Sequence, residues 1–451
     1  GGPSAVVAEL VSSAVTVFVA DPDDLAAWQE VAPSAQLLPP AATTRRRPVA
    51  GVRAGAALVA EGSVPPALAG TVSTVVGRAL RAVEDQLEVH RGDECGPLPR
   101  VLSAASVDRG TAARAAAVAS AAVVVDGVRT RAHDTWTMLE AAASQTAVVT
   151  PAGWPVPDGM EPATGADAVT LRAAVVARLE QQELRDREGR RLHRALVAGH
   201  GLDQRVDRIL RAADLHVPAS ARTVSAVVPT RREHEIDNVL ANLGRQSHRE
   251  TELVLVLHGV SVDRADLRAR ARDAGVSELT VVEADPTLTL GACMNLGVDA
   301  AAGAWIAKMD DDNHYGIHFL TDLLASVDTS GAGIVGKWAH YVWLRSTGAV
   351  VLRHADAEHS YQRRIQGGSM LFAGDVARGL RFSDIPRAVD SDILDRAIAD
   401  GVKVWSADRF NYVSVRGDDR TAHTWTVADD TFLTAAGRLA FFGDPRTHVE
   451  V

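Results

Sequence analysis

Cysteine is nearly absent: Cys95 and Cys293 are the only two in 451 residues. Two cysteines cannot build a disulfide framework, so a reducing, cytoplasmic setting is expected, extending to a peripheral position at the inner face of a membrane. Lysine is almost as scarce. Of 47 basic residues only Lys308, Lys337 and Lys403 are lysines, and arginine carries the rest of the positive charge. Aromatic residues make up 4% of the chain, yet Trp338, Tyr341, Trp343 and Trp405 fall in one region of it. Long apolar runs are missing too. The stretch 112–125 is alanine-rich and interrupted by Arg114, and no run approaches the roughly 20 residues of a membrane-spanning helix. Nor is there an excess of positive charge. The formal net charge of −10 is the opposite of the basic face that marks a nucleic-acid partner.

What is present has globular composition, with 47% hydrophobic and 23% charged residues. The length exceeds one ordinary core, so two domains are expected. Gly1-Gly2-Pro3-Ser4 has the character of a tag remnant and is set aside. Over 5–212 helical and strand-like stretches alternate: a strand at 15–20, a short helix at 22–28, a helix over 68–89, short strands at 101–103, 122–125 and 147–149, then charged helices over 169–198 and 203–213. Such alternation implies parallel βαβ units. Residues 213–222, with Pro218 among small residues, read as a linker. Over 223–451, strands at 223–228, 253–257, 279–282 and 305–309 alternate with helices, the first bearing Ile236, Val239, Leu240 and Leu243 on one face. Pro229 is expected to stop the first of these strands. Residues 341–344 and 349–352 read as a hairpin, 354–364 as a loop, and 426–451 as a segment that folds back or serves a homodimer contact.

The most informative stretch is Trp305-Ile306-Ala307-Lys308-Met309-Asp310-Asp311-Asp312-Asn313. A short buried-type strand ends in three carboxylates, at the place where open α/β sheets bind ligands. Adjacent acids repel one another unless a cation sits among them. Alternate residues on extended chain face one side, which pairs Asp310 with Asp312. Hard oxygen ligands of this kind suit Mg²⁺ or Mn²⁺ bridging to phosphate oxygens.

In its second half the chain resembles a GT-A glycosyltransferase of the family-2 type. The resembling segments occur in the family's order: Val227-Val228-Pro229-Thr230, Leu290-Gly291 with Asn295-Leu296-Gly297, Asp310-Asp311-Asp312, Gly367-Gly368-Ser369-Met370-Leu371-Phe372, Val389-Asp390-Ser391-Asp392, and Arg416 with His423-Thr424-Trp425. The resemblance implies an inverting, metal-dependent transfer of a sugar from a nucleotide-diphosphate donor, UDP-linked by default, to a hydroxyl acceptor on a cell-surface polysaccharide or other glycoconjugate. It implies Asp312 as direct metal ligand, with Asp310 sharing the metal or facing the ribose and His423 as third ligand or diphosphate contact. Asp311 follows as part of the donor site or as a structural charge. Pro229, Thr230, Arg231, His258, Asn295 and Arg416 would line the donor, and Gly367, Gly368, Ser369 and Trp338 the acceptor. Asp390 would be the catalytic base, with Asp392 the other candidate. Departures from the family pattern are Val389 in place of a Glu, Leu257-His258-Gly259 in place of an Asp pair after the second strand, and Met294 in place of an Arg. Base recognition is therefore expected to rest on His258 or on backbone near Thr230.

The first half resembles the nucleotide-binding half of a GT-B glycosyltransferase of the spore-maturation type, through Arg131-Ala132-His133-Asp134-Thr135-Trp136-Thr137-Met138-Leu139-Glu140-Ala141 and Thr146-Ala147-Val148-Val149-Thr150. That family's Glu at the position of Glu140 can hold a donor ribose. Its Gly-rich phosphate loop is missing here, so the expectation is a degenerate Rossmann-like domain used for assembly or acceptor docking. The fold class expected is α/β, a Rossmann-like domain over 5–212 followed by a GT-A domain over 223–451. Two other functions compete: a non-catalytic sugar-nucleotide-binding or scaffold partner of another transferase, and a nucleotidyltransferase. The absence of a Gly-rich, basic phosphate loop near the first strand counts against the last.

Overall fold

The chain divides into two compact units, Gly1–Ala219 and Ser220–Val451. The structure, a computed structural model, describes residues 16–49, 53–60, 62–92, 95–107, 111–215, 221–417, 429–434 and 436–451. No helix among the described residues is long and apolar enough to cross a membrane.

In the first unit β1 (Phe18–Val19) and β2 (Gln36–Leu37) form a small parallel pair. A six-stranded sheet follows, from β3 (Ala56–Ala60), β4 (Leu87–Arg91), β5 (Ser106–Val107), β6 (Val123–Val125), β7 (Ala147–Pro151) and β8 (Ala163–Gly165). Its order is β5-β4-β3-β6-β7-β8, and every pairing is parallel. The chain winds outward from β3, then returns to β6 and winds the other way, as in doubly wound nucleotide-binding sheets. Alternate strand residues feed two cores. Leu58, Val89, Val123, Val125 and Val149 pack on one face, and Ala57, Val59, Val124 and Val148 on the other.

Two local expectations fail in this unit, and one strand was not foreseen. Val101 and Leu102 lie in a helix, Arg100–Ala104, not a strand. The helical run over 68–89 stops at Gln86, and Leu87–Arg91 forms a strand. The central strand Ala56–Ala60 has no sequence signal, because three of its five residues are alanine, a residue depleted in strands. Complete burial between two neighbours overrides that preference.

The second unit begins with β9 (Val224–Thr230), β10 (Thr251–His258), β11 (Glu278–Ala284) and β12 (Trp305–Met309). Then come β13 (His314–Tyr315), β14 (Ile334–Gly336), the hairpin β15 (His340–Leu344) and β16 (Ala349–Arg353), β17 (Ser360–Tyr361), β18 (Ser369–Ala373), β19 (Val404–Ser406), β20 (Tyr412–Arg416) and β21 (Gly437–Phe442). The main sheet runs β11-β10-β9-β12-β18-β14-β19-β17. Its first four strands are parallel, and β18 runs antiparallel to β12. The winding reverses between β9 and β12, which opens a crevice at their C-terminal ends. Pro229 does not stop β9, which continues through Thr230. The Leu290–Ala300 helix presses close on the sheet. A Cβ on Gly297 would lie 2.3 Å from Val227 Cγ1, and one on Gly291 only 2.0 Å from the Ser383 carbonyl oxygen, so both positions require glycine.

A second sheet, β13-β20-β15-β16-β21, follows. The C-terminal stretch folds back as β21 along β16. Within β15, His340 is buried beneath the sheet, its Nδ1 2.7 Å from the Trp338 carbonyl oxygen, and burial pushes its pKa down to about 3. Below pH 6.5 the unfolded chain takes up a proton here that the folded chain refuses until about pH 3. Stability therefore falls as pH drops through that window, by at most about 1.4 kcal/mol per pH unit. His340→Gln should flatten the pH dependence of the unfolding free energy over this range; an unchanged slope counts against a buried neutral imidazole.

Candidate active site

Strand β12 delivers the three acids into the crevice, and side chains from several other segments pin the turn that follows. Asp310 N–H donates to the Tyr315 hydroxyl at 2.8 Å, which donates to the Gly368 carbonyl at 2.6 Å. Asn238 and Asn242 donate to the carbonyls of Asp311 and Asn313, and Asn313 donates to Asp310 Oδ2 at 3.2 Å and to the Tyr412 hydroxyl at 3.1 Å. Tyr315 and Phe319 pack edge to face, and Tyr412 lies tilted against both rings. Burial raises both tyrosine pKa values well above the ordinary range, so the hydroxyls stay neutral.

The three acids point three ways. Asp311, only 7% exposed, turns inward, accepts from the Thr230 hydroxyl at 2.6 Å and is clasped by both Arg232 Nε and Nη2. Asp312, 19% exposed, has Arg232 Nη2 3.0 Å from its Oδ2. Asp310 accepts from Lys308 Nζ at 2.9 Å. Burial raises the Asp310 carboxyl, Lys308 pulls against that, and Asp312 and Asp390 push it up again, for a net upward shift. Asp311 thus braces β9 against β12. Asp311→Ala would leave Arg232 half-buried without its main partner and should lower unfolding stability by about 3 kcal/mol, read by chemical denaturation. Loss of less than about 1 kcal/mol would contradict this bracing role.

Asp390 reaches the same place from the first turn of the helix Val389–Ala399. It is not that helix's cap, because Ala388 holds the cap position at φ 60°. Asp390 Oδ1 lies 3.4 Å from Lys308 Nζ and, although buried, accepts no hydrogen bond from the described residues: the pair has ionic distance without hydrogen-bond geometry. Asp392 differs. It accepts from the Ser383 hydroxyl at 2.6 Å and from Arg396 Nε at 2.9 Å, and these two contacts hold its carboxyl below the usual range. Gly367 and Gly368 lie against the carboxylates. A Cβ at 367 would be 2.0 Å from Asp390 Oδ2, and one at 368 would be 2.4 Å from Asp310 Oδ2.

The remaining candidates scatter. Thr230 and half-buried Pro229 end β9 beside the acids. Arg231 contacts both ring nitrogens of His258 at the end of β10, 3.0 Å to Nδ1 and 2.8 Å to Nε2, and donates to the Pro286 carbonyl at 2.6 Å. Burial, then Arg231, lowers the His258 pKa. Asn295 spends its amide on the backbone of Phe382, with both bonds at 2.8 Å. Ser369, expected at the acceptor, is fully buried, its hydroxyl accepting from Lys337 N–H and donating to the Gln366 carbonyl. Trp338 stacks on His354 with centroids 3.9 Å apart. Arg416 lies over the Phe432 ring at 5.2 Å. His423 falls outside the described residues. The sequence reading missed Arg232, Lys308, Asn238, Asn242, Asn313 and Tyr315. Lys308 alone carried a signal, as one of three lysines and in mid-strand.

The acids suit a hard divalent cation. Four carboxylates, those of Asp310, Asp311, Asp312 and Asp390, gather about two cations, Lys308 and Arg232, so acids outnumber the positive charges they share. Among the described residues no three His, Cys, Asp or Glu side chains converge as a self-sufficient metal site.

In the first unit, Glu140 lines a cavity of about 180 Å³ with Val59, Arg114, Trp136 and Thr137, its carboxylate 3.6 Å from Arg114.

No curated protein matches the chain. Among solved structures, TarS residues 1–349 of S. aureus, in complex with UDP-GlcNAc, is 15% identical with a TM-score of 0.37, over 47% of this chain and 64% of that one. The mannosyltransferase PcManGT of Pyrobaculum calidifontis, with GDP-Man and Mn²⁺, is 17% identical with a TM-score of 0.36, over 48% and 64%. GalNAc-T7 with UDP, GalNAc and Mn²⁺ is 11% identical with a TM-score of 0.35, over 45% of each chain. The alignment thus spans less than two thirds of each of these structures, and 37% of the longer TarS chain. Residues 225–386, which run from β9 past the acids and the glycine pair, match the family model for Glycosyl transferase family 2.

Proposed function

We propose that the second unit moves a sugar from a nucleotide-diphosphate donor to a hydroxyl acceptor with inversion at the anomeric carbon. The observation that carries this reading is the meeting of Asp310 and Asp390, from separate elements, at the single ammonium of Lys308. A donor-side acid and an acceptor-side acid are what a one-step displacement needs. Mn²⁺ or Mg²⁺, held by Asp312 with or without Asp310, would neutralise charge on the departing diphosphate. The Asp390 carboxylate, its side chain 36% exposed, takes the acceptor hydroxyl proton as the oxygen bonds to the anomeric carbon and the bond to the diphosphate breaks. Asp392, engaged by Ser383 and Arg396, holds the loop before the helix. Arg231 and His258, at the ends of β9 and β10, are placed for the nucleoside end of the donor. Gly367 and Gly368 leave room for the carboxylates themselves, and an acceptor approaches over them.

One observation favours the non-catalytic alternative: Lys308 and Arg232 already pair with the acids. The two readings part in one experiment. Nucleotide release is measured from a panel that includes UDP-GlcNAc and GDP-mannose, with Mn²⁺, Mg²⁺ or EDTA. Release that needs the metal supports the transferase; tight binding of a nucleotide sugar without release supports the binding module.

A further inference from the structure

Lys308 is 2% exposed, and its ammonium reaches three oxygens on three segments of chain: Asp310 Oδ1 at 2.9 Å, the Gly367 carbonyl at 3.1 Å and Asp390 Oδ1 at 3.4 Å. A compact ammonium that donates to two oxygens and pairs ionically with a third suits this convergence better than a planar guanidinium fork. That accounts for a lysine here in a chain that otherwise uses arginine. The carboxylates are fixed from the other side as well. The backbones of Gly367 and Gly368 press on Asp390 Oδ2 and Asp310 Oδ2 so closely that neither position has space for a Cβ.

We propose that Lys308 is a positioning residue for sugar transfer, which holds the Asp390 carboxylate over the Gly367 backbone in line with the acceptor hydroxyl. This rests on Asp390 being the base. Lys308 touches no substrate; it acts through Asp390. Its loss therefore removes the same advantage that loss of Asp390 removes, and the two losses do not add.

The test uses the full chain with Mn²⁺ and whichever of UDP-GlcNAc and GDP-mannose it turns over. Lys308→Met, Asp390→Asn and the double variant are compared for kcat and KM, and UDP affinity with Mn²⁺ is measured by calorimetry. Lys308→Met should lower kcat by about 100-fold, change UDP affinity by less than about threefold, and add nothing to the loss in Asp390→Asn. Additive losses, or UDP affinity falling together with kcat, overturn the proposal and leave the base assignment standing. Full activity in Asp390→Asn overturns the base assignment itself. If Lys308→Met does not fold, Gly367→Ala displaces Asp390 from the opposite side and should give the same pattern, a fall in kcat with UDP affinity retained. Gly367→Ala with unchanged kcat likewise overturns the proposal.

Discussion

Asp390→Asn is expected to reduce sugar transfer by about a thousandfold, within the range that general bases contribute. Asparagine has the same shape and still fits against the Gly367 backbone, so the fold and the donor site should persist. What disappears is the oxygen that takes the acceptor proton. KM for the donor should stay within a few-fold of its original value, because Asp390 approaches the site from the helix Val389–Ala399 while the acids of β12 line the donor side. Asp392→Asn is the matched control. Its carboxylate serves Ser383 and Arg396 at a partly exposed position, so the variant should keep most activity and lose less than about 1 kcal/mol of stability. Steady-state rates of the two variants decide the assignment, and collapse in Asp392→Asn with activity kept in Asp390→Asn reverses it.

Asp312→Ala should cost at least about a hundredfold in turnover, the scale on which loss of one charge-stabilising contact acts. It should also weaken the activating effect of Mn²⁺, seen as a rightward shift in the metal titration. In the proposed transfer this role falls to Asp312. Asp311 is enclosed by Thr230 and Arg232, and Asp310 has one oxygen on Lys308 and the other on Asn313. Arg232 Nη2 stands beside Asp312 Oδ2 at 3.0 Å, and Arg232 can yield that contact to an incoming cation while it keeps Asp311. An Asp312→Ala enzyme with an unchanged metal titration would place the ion elsewhere.

The second unit was legible where burial acts on contiguous sequence. Strand β10 holds the unbroken apolar run 253–257, and β9 and β12 are apolar stretches interrupted by Ser225 and by Lys308. The place of the three acids at a strand end was equally readable, since the apolar run before them stops there. The orientations of the three acids were not. Asp311 turns inward because Thr230 and Arg232, some 80 residues earlier, end the neighbouring strand beside it. Ser369 and Asn295 looked like ligand contacts, yet their polar groups satisfy Lys337, Gln366 and Phe382. Such pairings depend on sheet order, which no local pattern encodes. In the first unit the alanine-rich β3 was invisible for a related reason: its position between β4 and β6, not its composition, makes it a strand.

Central to the proposed transfer is a divalent cation at the end of β12 that grips a nucleotide's diphosphate. Crystals soaked with UDP and MnCl₂ and measured for anomalous scattering test it most directly. The expected result is one manganese peak bound to Asp312 and to diphosphate oxygens, with Asp390 across Lys308 from it. A diphosphate bound with no metal on Asp312, or manganese bound away from the β12 acids, would contradict it.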